Sequence, residues 1–300
     1  MLDIALQQTK DVKNAVLRTG QETASIASML AREQIDALQA RQRALDSRRL
    51  AAYGFKAYSQ NDEDGILQEI FARIGATNKT FIEFGCGDGL ENNTVYLLAS
   101  GWMGAWIDGG AEKIDGIRRL HHASLANGTL TVEQRMLTAE NIDQALTAVS
   151  KSNEIDLLSI DIDGNDYWVW QAITGIRPRV VVIEYNATFR PPVSIVQRYR
   201  PDRMWDGTNA FGASLKALEE LGRTKGYALV GCNVTGMNAF FVRAEYADDR
   251  FDGPFTAENH YMPPNYDLFP LVRANAHPPG IGDYIVDPAQ ALRVETALAG

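Results

Sequence analysis

Three hundred residues, 45% of them hydrophobic and 22% charged, supply enough apolar material for one sizeable core and exclude a disordered chain. No apolar run nears the roughly 18–20 residues that cross a bilayer, Met1-Leu2-Asp3-Ile4 lacks a secretory layout, and two cysteines, Cys86 and Cys232, make neither a disulfide framework nor a zinc site; a cytoplasmic chain with no transmembrane segment is expected. The net charge of −9 divides into about +2 on residues 1–50 and −11 on the rest, which argues against nucleic acid as a partner.

Residues 1–50 contain no proline and are rich in Ala, Gln, Leu and Arg. Val12, Val16, Thr19, Thr23, Ile26 and Leu30 recur at alternating four- and three-residue steps, with a second stripe at Ile35, Leu38 and Leu45. That spacing predicts a long amphipathic helix, interrupted at Gly20, and a surface for self-association into a homo-oligomer. From residue 60 helical and strand patterns alternate. A helix carries Ile66, Ile70 and Ile74 between Asp62 and Gly75, and a strand follows at 80–84. Further strands are expected at 104–108, 130–137, 155–162 and 179–185, with helices at 142–149 and 214–221. Two closing strands, 227–232 and 238–242, are near enough to form a hairpin. The alternation predicts an α/β, Rossmann-like doubly wound sheet of about seven strands, mostly parallel with a C-terminal antiparallel hairpin. The division expected is a helical arm over 1–52, one catalytic-type domain over 53–245, and a Pro/aromatic-rich wrap over 246–300. Seven of the eleven prolines fall in the last fifty residues.

The most informative run is Phe81-Ile82-Glu83-Phe84-Gly85-Cys86-Gly87-Asp88-Gly89. An apolar strand ends in an acid and breaks into glycines spaced Gly-x-Gly-x-Gly, before a helix opening near Asn92-Asn93-Thr94. A dinucleotide fingerprint would place a small residue three positions beyond the second glycine, where this chain has Leu90. Asp108 closes the second strand nineteen residues after Gly89, a spacing at which an acid accepts hydrogen bonds from a ribose diol.

The glycine run with its preceding Glu resembles motif I of class I S-adenosylmethionine-dependent methyltransferases. Residues 58–243 resemble the FkbM-like branch of that class, on Ser59-Gln60-Asn61-Asp62-Glu63-Asp64-Gly65, Phe81 through Thr94, Gly101 through Asp108, Ser159 through Tyr167 and Gly212-Ala213-Ser214-Leu215. The resemblance implies S-adenosylmethionine as cofactor, held by Glu83, Gly85, Gly87, Gly89, Asn93, Asp108, Asp161 and the residues after the third strand, among which Glu140 and Asn141 are candidates. It also implies an acceptor hydroxyl on a carbohydrate, glycan-type or other small molecule.

Methyl transfer to a hydroxyl needs alignment and a base. Asp161, Asp163 and Asp166 follow the fourth strand, and Glu184 and Asn186 end the fifth. Neighbouring parallel strands bring such ends together, so Asp161, Asp163, Asp166 and Glu184 are the catalytic candidates. Asp163, Glu184 and Asn186 form an all-oxygen set suited to Mg²⁺ or another hard cation. The set resembles that of catechol-type methyltransferases, with Tyr185 inserted between two ligands that are adjacent there and no lysine at the base position. The competing account makes one Asp the general base, has a second orient substrate hydroxyls, and leaves the others, Asp166 among them, to cap the following helix. Arg190, Tyr199, Arg203 and Trp205 lie in one loop and suit an anionic sugar. His121 and His122 read as surface residues. Two alternatives stand beside the methyltransferase: a catalytically silent scaffold, and a metal-dependent transferase of another group.

Overall fold

The computed structural model describes residues 2–150 and 152–271. Its first element, α1 (Leu2–Leu45), is one unbroken helix of 44 residues that passes through Gly20 without interruption. A single glycine costs a helix only about 1 kcal/mol, too little to break one this long. Ser28, Ala31, Ile35 and Gln42 are buried, and Leu38 is partly buried against the core, so the second half of α1 lies on the domain. Residues 13–23 are exposed on every side.

The remainder alternates as expected. After the 3₁₀ turn Leu50–Tyr53 come α2 (Glu63–Ile74), β1 (Thr80–Phe84), α3 (Val95–Ala99), β2 (Met103–Asp108), α4 (Ala111–Leu120), α5 (His122–Ala126) and β3 (Leu130–Gln134). The chain continues through α6 (Ile142–Val149), β4 (Leu157–Ile160), α7 (Asp166–Ala172), β5 (Val180–Glu184), α8 (Leu215–Thr224), β6 (Tyr227–Cys232) and β7 (Asn238–Arg243). Two short helices, α9 (Ala257–His260) and α10 (Leu268–Leu271), end the described chain. The expected wrap beyond residue 271, with His277 and Tyr284, lies outside the described residues. No helix among those described is long and apolar enough to cross a membrane.

Seven strands form one sheet in the order β3-β2-β1-β4-β5-β7-β6. All pair in parallel except β7, which runs antiparallel to both β5 and β6. Strand alternation sends Ile82, Ile107, Leu158 and Val181 to one face, and Phe81, Trp106, Leu157 and Val182 to the other. Helices cover both faces, so β5, Val180–Glu184, is apolar along almost its whole length. The third, fourth and fifth strands are shorter than expected, because residues 135–137, 161–162 and 185 have already turned into the loops beyond the sheet.

The order reverses between β1 and β4, with β2 and β3 on one side of β1 and β4 to β7 on the other. Loops leaving β1 and β4 therefore diverge and open a crevice at the carboxyl edge. Gly85 stands at that divergence. A Cβ there would lie 1.6 Å from the backbone oxygen of Asp161, so the two loops touch through a position that admits no side chain.

Candidate functional site

The glycine loop is built by three positive-φ residues, Gly85, Gly87 and Gly89, but only Gly87 leaves open space where a side chain would stand. Gly89 packs on Ile117, His121 and Trp106. A left-handed backbone at Gly87 turns its amide hydrogen toward Asp108, whose Oδ2 accepts it at 3.1 Å. The other Asp108 oxygen accepts from Gly110 at 2.8 Å, and Lys113 Nζ lies 3.8 Å from Oδ2. Asp108 thus ties the end of β2 to the glycine loop.

Glu83 faces Trp106 and Ser159 across the two neighbouring strands. Its carboxylate is buried and accepts from Asn92 Nδ2 (2.6 Å), Asn93 N (2.8 Å), Thr94 N (3.2 Å) and Thr94 Oγ1 (2.5 Å). Trp106 Nε1 donates to Thr94 Oγ1, and Asn93 Nδ2 to Ser159 Oγ. The acid therefore holds the start of α3, a task that the Asn-Asn-Thr run performs in sequence-based reasoning through its own side chains; Thr94 makes no capping bond of its own. Burial pushes the Glu83 carboxyl up, against the pull of these donors.

Two hollows meet at Gly85 and Asp161. One is a polar chamber of about 180 Å³ that includes Gln60, Glu83, Gly87, Asn92, Asn93 and Asn238 in its lining. The other is a cleft of about 330 Å³ along the ends of β2, β3 and β4, with Ile107, Asp108, Met136, Leu137, Ile162 and Asp163 in its wall. Both lie at the carboxyl edge beside the switch point.

Asp161, Asp163 and Glu184 converge, each offering one oxygen within 4.8 Å of the others. Parallel pairing of β4 with β5 brings the loop after Ile160 beside Glu184. Asp163 has φ +57°, a left-handed conformation that Asp tolerates better than most residues and that is stored strain at a loop tip. Burial first, and then the neighbouring carboxylates, hold the Asp161 and Glu184 carboxyls well above their usual range. Asp163 is also raised, by burial and by Asp108, with Lys113 opposing. One Glu184 oxygen, Oε2, is buried without a hydrogen-bond partner.

Two expected members of this group are used elsewhere. Asp166 is buried in the first turn of α7 and accepts from Ile162 N and Gly164 N, both at 2.8 Å, closing the loop that carries Asp161 and Asp163. Burial raises its carboxyl to about 6 in spite of those bonds. Asn186 donates to the carbonyls of Asn209 and Phe211 and accepts from Thr188 N, so its amide is committed to the loop after β5. Glu140 accepts from the Tyr199 hydroxyl, and Asn141 bonds to Thr138 N and the Met136 carbonyl; neither lines the cleft, whereas Met136 and Leu137 do.

The loop after β5 divides likewise. Arg203 and Trp205 line the cleft, together with Pro201 and Met204. Tyr199 is turned to Glu140 and Ala139, and Arg190 stands by the Tyr261 hydroxyl. His121 is buried, contrary to its surface reading: its Nε2 is 2.8 Å from the Gly89 carbonyl, and its ring meets Trp106 edge-on. Its place in the series Ile114, Ile117, His121, on the buried face of α4, was the available signal. Lys113, one turn into the same helix, and Asn238, opposite Glu184 in the β5–β7 register, also reach the hollows; neither belongs to a motif.

No protein-family model matches this chain, and no curated protein does. Solved structures do. An O-methyltransferase family protein from Burkholderia thailandensis is 16% identical with a TM-score of 0.36, over 58% of this chain and 52% of that one. The match thus spans about half of that protein. An S-adenosylmethionine-dependent methyltransferase from Clostridium acetobutylicum is 10% identical (TM-score 0.35, 59% and 88%). The N-terminal domain of EvdMO1 with SAH bound is 14% identical (TM-score 0.37, 69% and 94%). The first two are methyltransferases by name. At these TM-scores the likeness carries no argument by itself, and the functional reading rests on the site.

Proposed function

We propose that the chain is an S-adenosylmethionine-dependent O-methyltransferase acting on a hydroxyl of a carbohydrate or glycan-type acceptor. The observation that supports this most is the pair of hollows joined at Gly85 and Asp161: a polar chamber beside Gly87 and a longer, partly apolar cleft ending at Met136 and Leu137. A polar chamber joined to a partly apolar cleft suits a molecule with a charged amino-acid end and a nucleoside end. In this reading the chamber takes the amino-acid portion and Asp108 the ribose diol, while Met136, Leu137 and Ile162 flank the base. S-adenosylmethionine supplies an electrophilic methyl group when bound.

The residues of the chain do the rest. Gly87 leaves the approach open, and Asp108 fixes the loop around it. Asp161 stands at the junction of the hollows, Asp163 in the cleft and Glu184 behind them, with carboxyls raised above their usual range, the direction that suits a general base for a hydroxyl. In this reading Asp163, at the loop tip in the cleft, takes the proton. Glu184 and Asp161 hold one between them.

The same three carboxylates fit a hard divalent cation such as Mg²⁺, whose chemistry would be to lower the pKa of the acceptor hydroxyl. Asn186 is held to the loop after β5, with both amide hydrogens donated to Asn209 and Phe211 and its Oδ1 accepting from Thr188 N, and we leave it out of that set. We also read the stretch of α1 that carries exposed Val16, Ile26 and Leu30, at three- and four-residue heptad steps, as a self-association element.

Isothermal titration with S-adenosylhomocysteine tests the cofactor site, and micromolar binding is expected. Absence of heat refutes the methyltransferase reading, while binding without turnover on any hydroxyl acceptor favours a scaffold. Methyl release assayed with and without chelator decides whether the acids act alone or with a cation.

A further inference from the structure

We infer that the acceptor carries a carboxylate or phosphate on a ring, and that Arg203 recognises the anion while Trp205 takes the ring face. This rests on the methyltransferase reading for the identity of the acceptor, and on the following geometry for the anion.

Three cationic side chains line the cleft: Lys113, Arg135 and Arg203. Arg135 is paired with Glu133 at 2.5 Å. Lys113 faces Asp108 at 3.8 Å and offsets the raised carboxyl of Asp163. Arg203 differs. No ion pair joins its guanidinium to a carboxylate among the described residues, and its Nε is buried without a hydrogen-bond partner. Its charge helps to hold the exposed carboxyl of Asp206 down, as a minor contribution beside the Thr208 hydrogen bonds. The Nε is closed off beside Gly164 and Gln197, so an anion in the cleft is met by the terminal guanidinium nitrogens, whose planar pair matches carboxylate and phosphate oxygens.

The position is also built. Arg203 runs across Gly164, whose Cβ would stand 3.0 Å from Arg203 Cδ, so the glycine leaves the room that this side chain occupies. The turn carrying it is tied down by Asn165 Nδ2 to the Arg200 carbonyl (2.8 Å) and by Arg203 N to the same oxygen (3.0 Å). Trp168 Nε1 donates to the Gln197 carbonyl at 2.8 Å, fastening the same segment to α7. The anion receptor is thus held against the loop that carries Asp161 and Asp163. Beside it, Trp205 is 54% exposed and Met204 69% exposed, and both line the cleft. An indole presented to solvent there offers a flat apolar face to a sugar ring, whose C–H face stacks on it.

Binding is measured by titration in saturating S-adenosylhomocysteine, with methyl glucuronoside, glucose 1-phosphate and neutral methyl glucoside as probes. The wild type is expected to hold at least one anionic probe ten-fold or more tightly than the neutral one, and the two anionic arms separate carboxylate from phosphate. Arg203→Gln is expected to abolish the preference and Arg203→Lys to retain part of it. Arg198→Gln, exposed on the same segment and outside the cleft, is expected to keep it in full. Thermal melting of each variant reports the fold. Equal affinity for charged and neutral probes, no binding of any probe, a preference that survives Arg203→Gln, or one lost equally with Arg198→Gln overturns the inference. A wild type that ignores S-adenosylhomocysteine yet prefers the anionic probes would refute the cofactor reading and leave the anion site standing.

Discussion

Glu83 in β1 and Glu184 at the end of β5 carry the same carboxylate, raised by burial in both, yet their partners differ. Glu83 collects four donors from the segment opening α3, so its charge is shared among hydrogen bonds even in a buried position. Glu184 has a buried oxygen with no partner and two acids, Asp161 and Asp163, within 4.8 Å. A carboxyl raised above its unfolded value binds its proton more tightly in the folded chain. Its stabilising contribution is therefore present at low pH and is lost as pH rises through the folded pKa. For Glu184 the loss begins above its ordinary value of 4.5. Glu184→Gln is accordingly expected to flatten the fall in melting temperature between pH 4.5 and pH 8 and to raise the melting temperature at pH 8 in cation-free buffer, as followed by calorimetry. A slope as steep as that of the wild type would mean that Glu184 ionises in the fold at no cost.

Elements show why identical residues in one motif are not interchangeable. The β1–α3 turn contains Gly85 and Gly87 two positions apart, both at positive φ. Gly85 is required by contact between β-loops, since a methyl there would enter the Asp161 carbonyl. Gly87 has nothing within 4 Å and is required only by its backbone angle and by whatever approaches it. Gly85→Ala is expected to cost about 3 kcal/mol or more of stability. Gly87→Ala should cost about 1–2 kcal/mol while weakening S-adenosylhomocysteine at least ten-fold. Urea denaturation and titration on the two variants separate these effects, and a reversed order of stability would show that the turn relaxes. Asp166 makes the same point for the loop after β4. Its two backbone acceptances shape the stretch that presents Asp163, so it acts on the geometry of the site from beneath.

At the scale of the molecule, α1 is both part of the domain and a projection from it. Its later turns pack through Ala31 and Ile35, while residues 13–23 are exposed on every side and Val16, Ile26 and Leu30 stand in solvent. An isolated helix of that length gains little from propensity alone, and a heptad stripe is stabilised by a matching helix. Light scattering is expected to give a dimer, and Ile26→Asp with Leu30→Asp a monomer of unchanged melting temperature; a monomeric wild type would dismiss the arm as an interface. The order of helices and strands, the burial of β5 and the presence of acids after β4 and β5 were legible in the sequence, because periodicity and turn residues act over a few neighbours. The glycine loop and Asp108 were legible for the same reason. That Asp161, Asp163 and Glu184 lie close together was legible from the adjoining strand ends; that their neighbours stand apart was not. Asp166 and Asn186 belong to the same short runs as Asp163 and Glu184, yet hydrogen bonds to Ile162, Gly164, Asn209 and Phe211 withdraw them. Arg203 was separated from Arg190 and Tyr199 only by the path of the loop across Gly164. Local chain physics determined the elements and the residues at their ends; three-dimensional packing decided which of those side chains are tied into loops and which line the cleft.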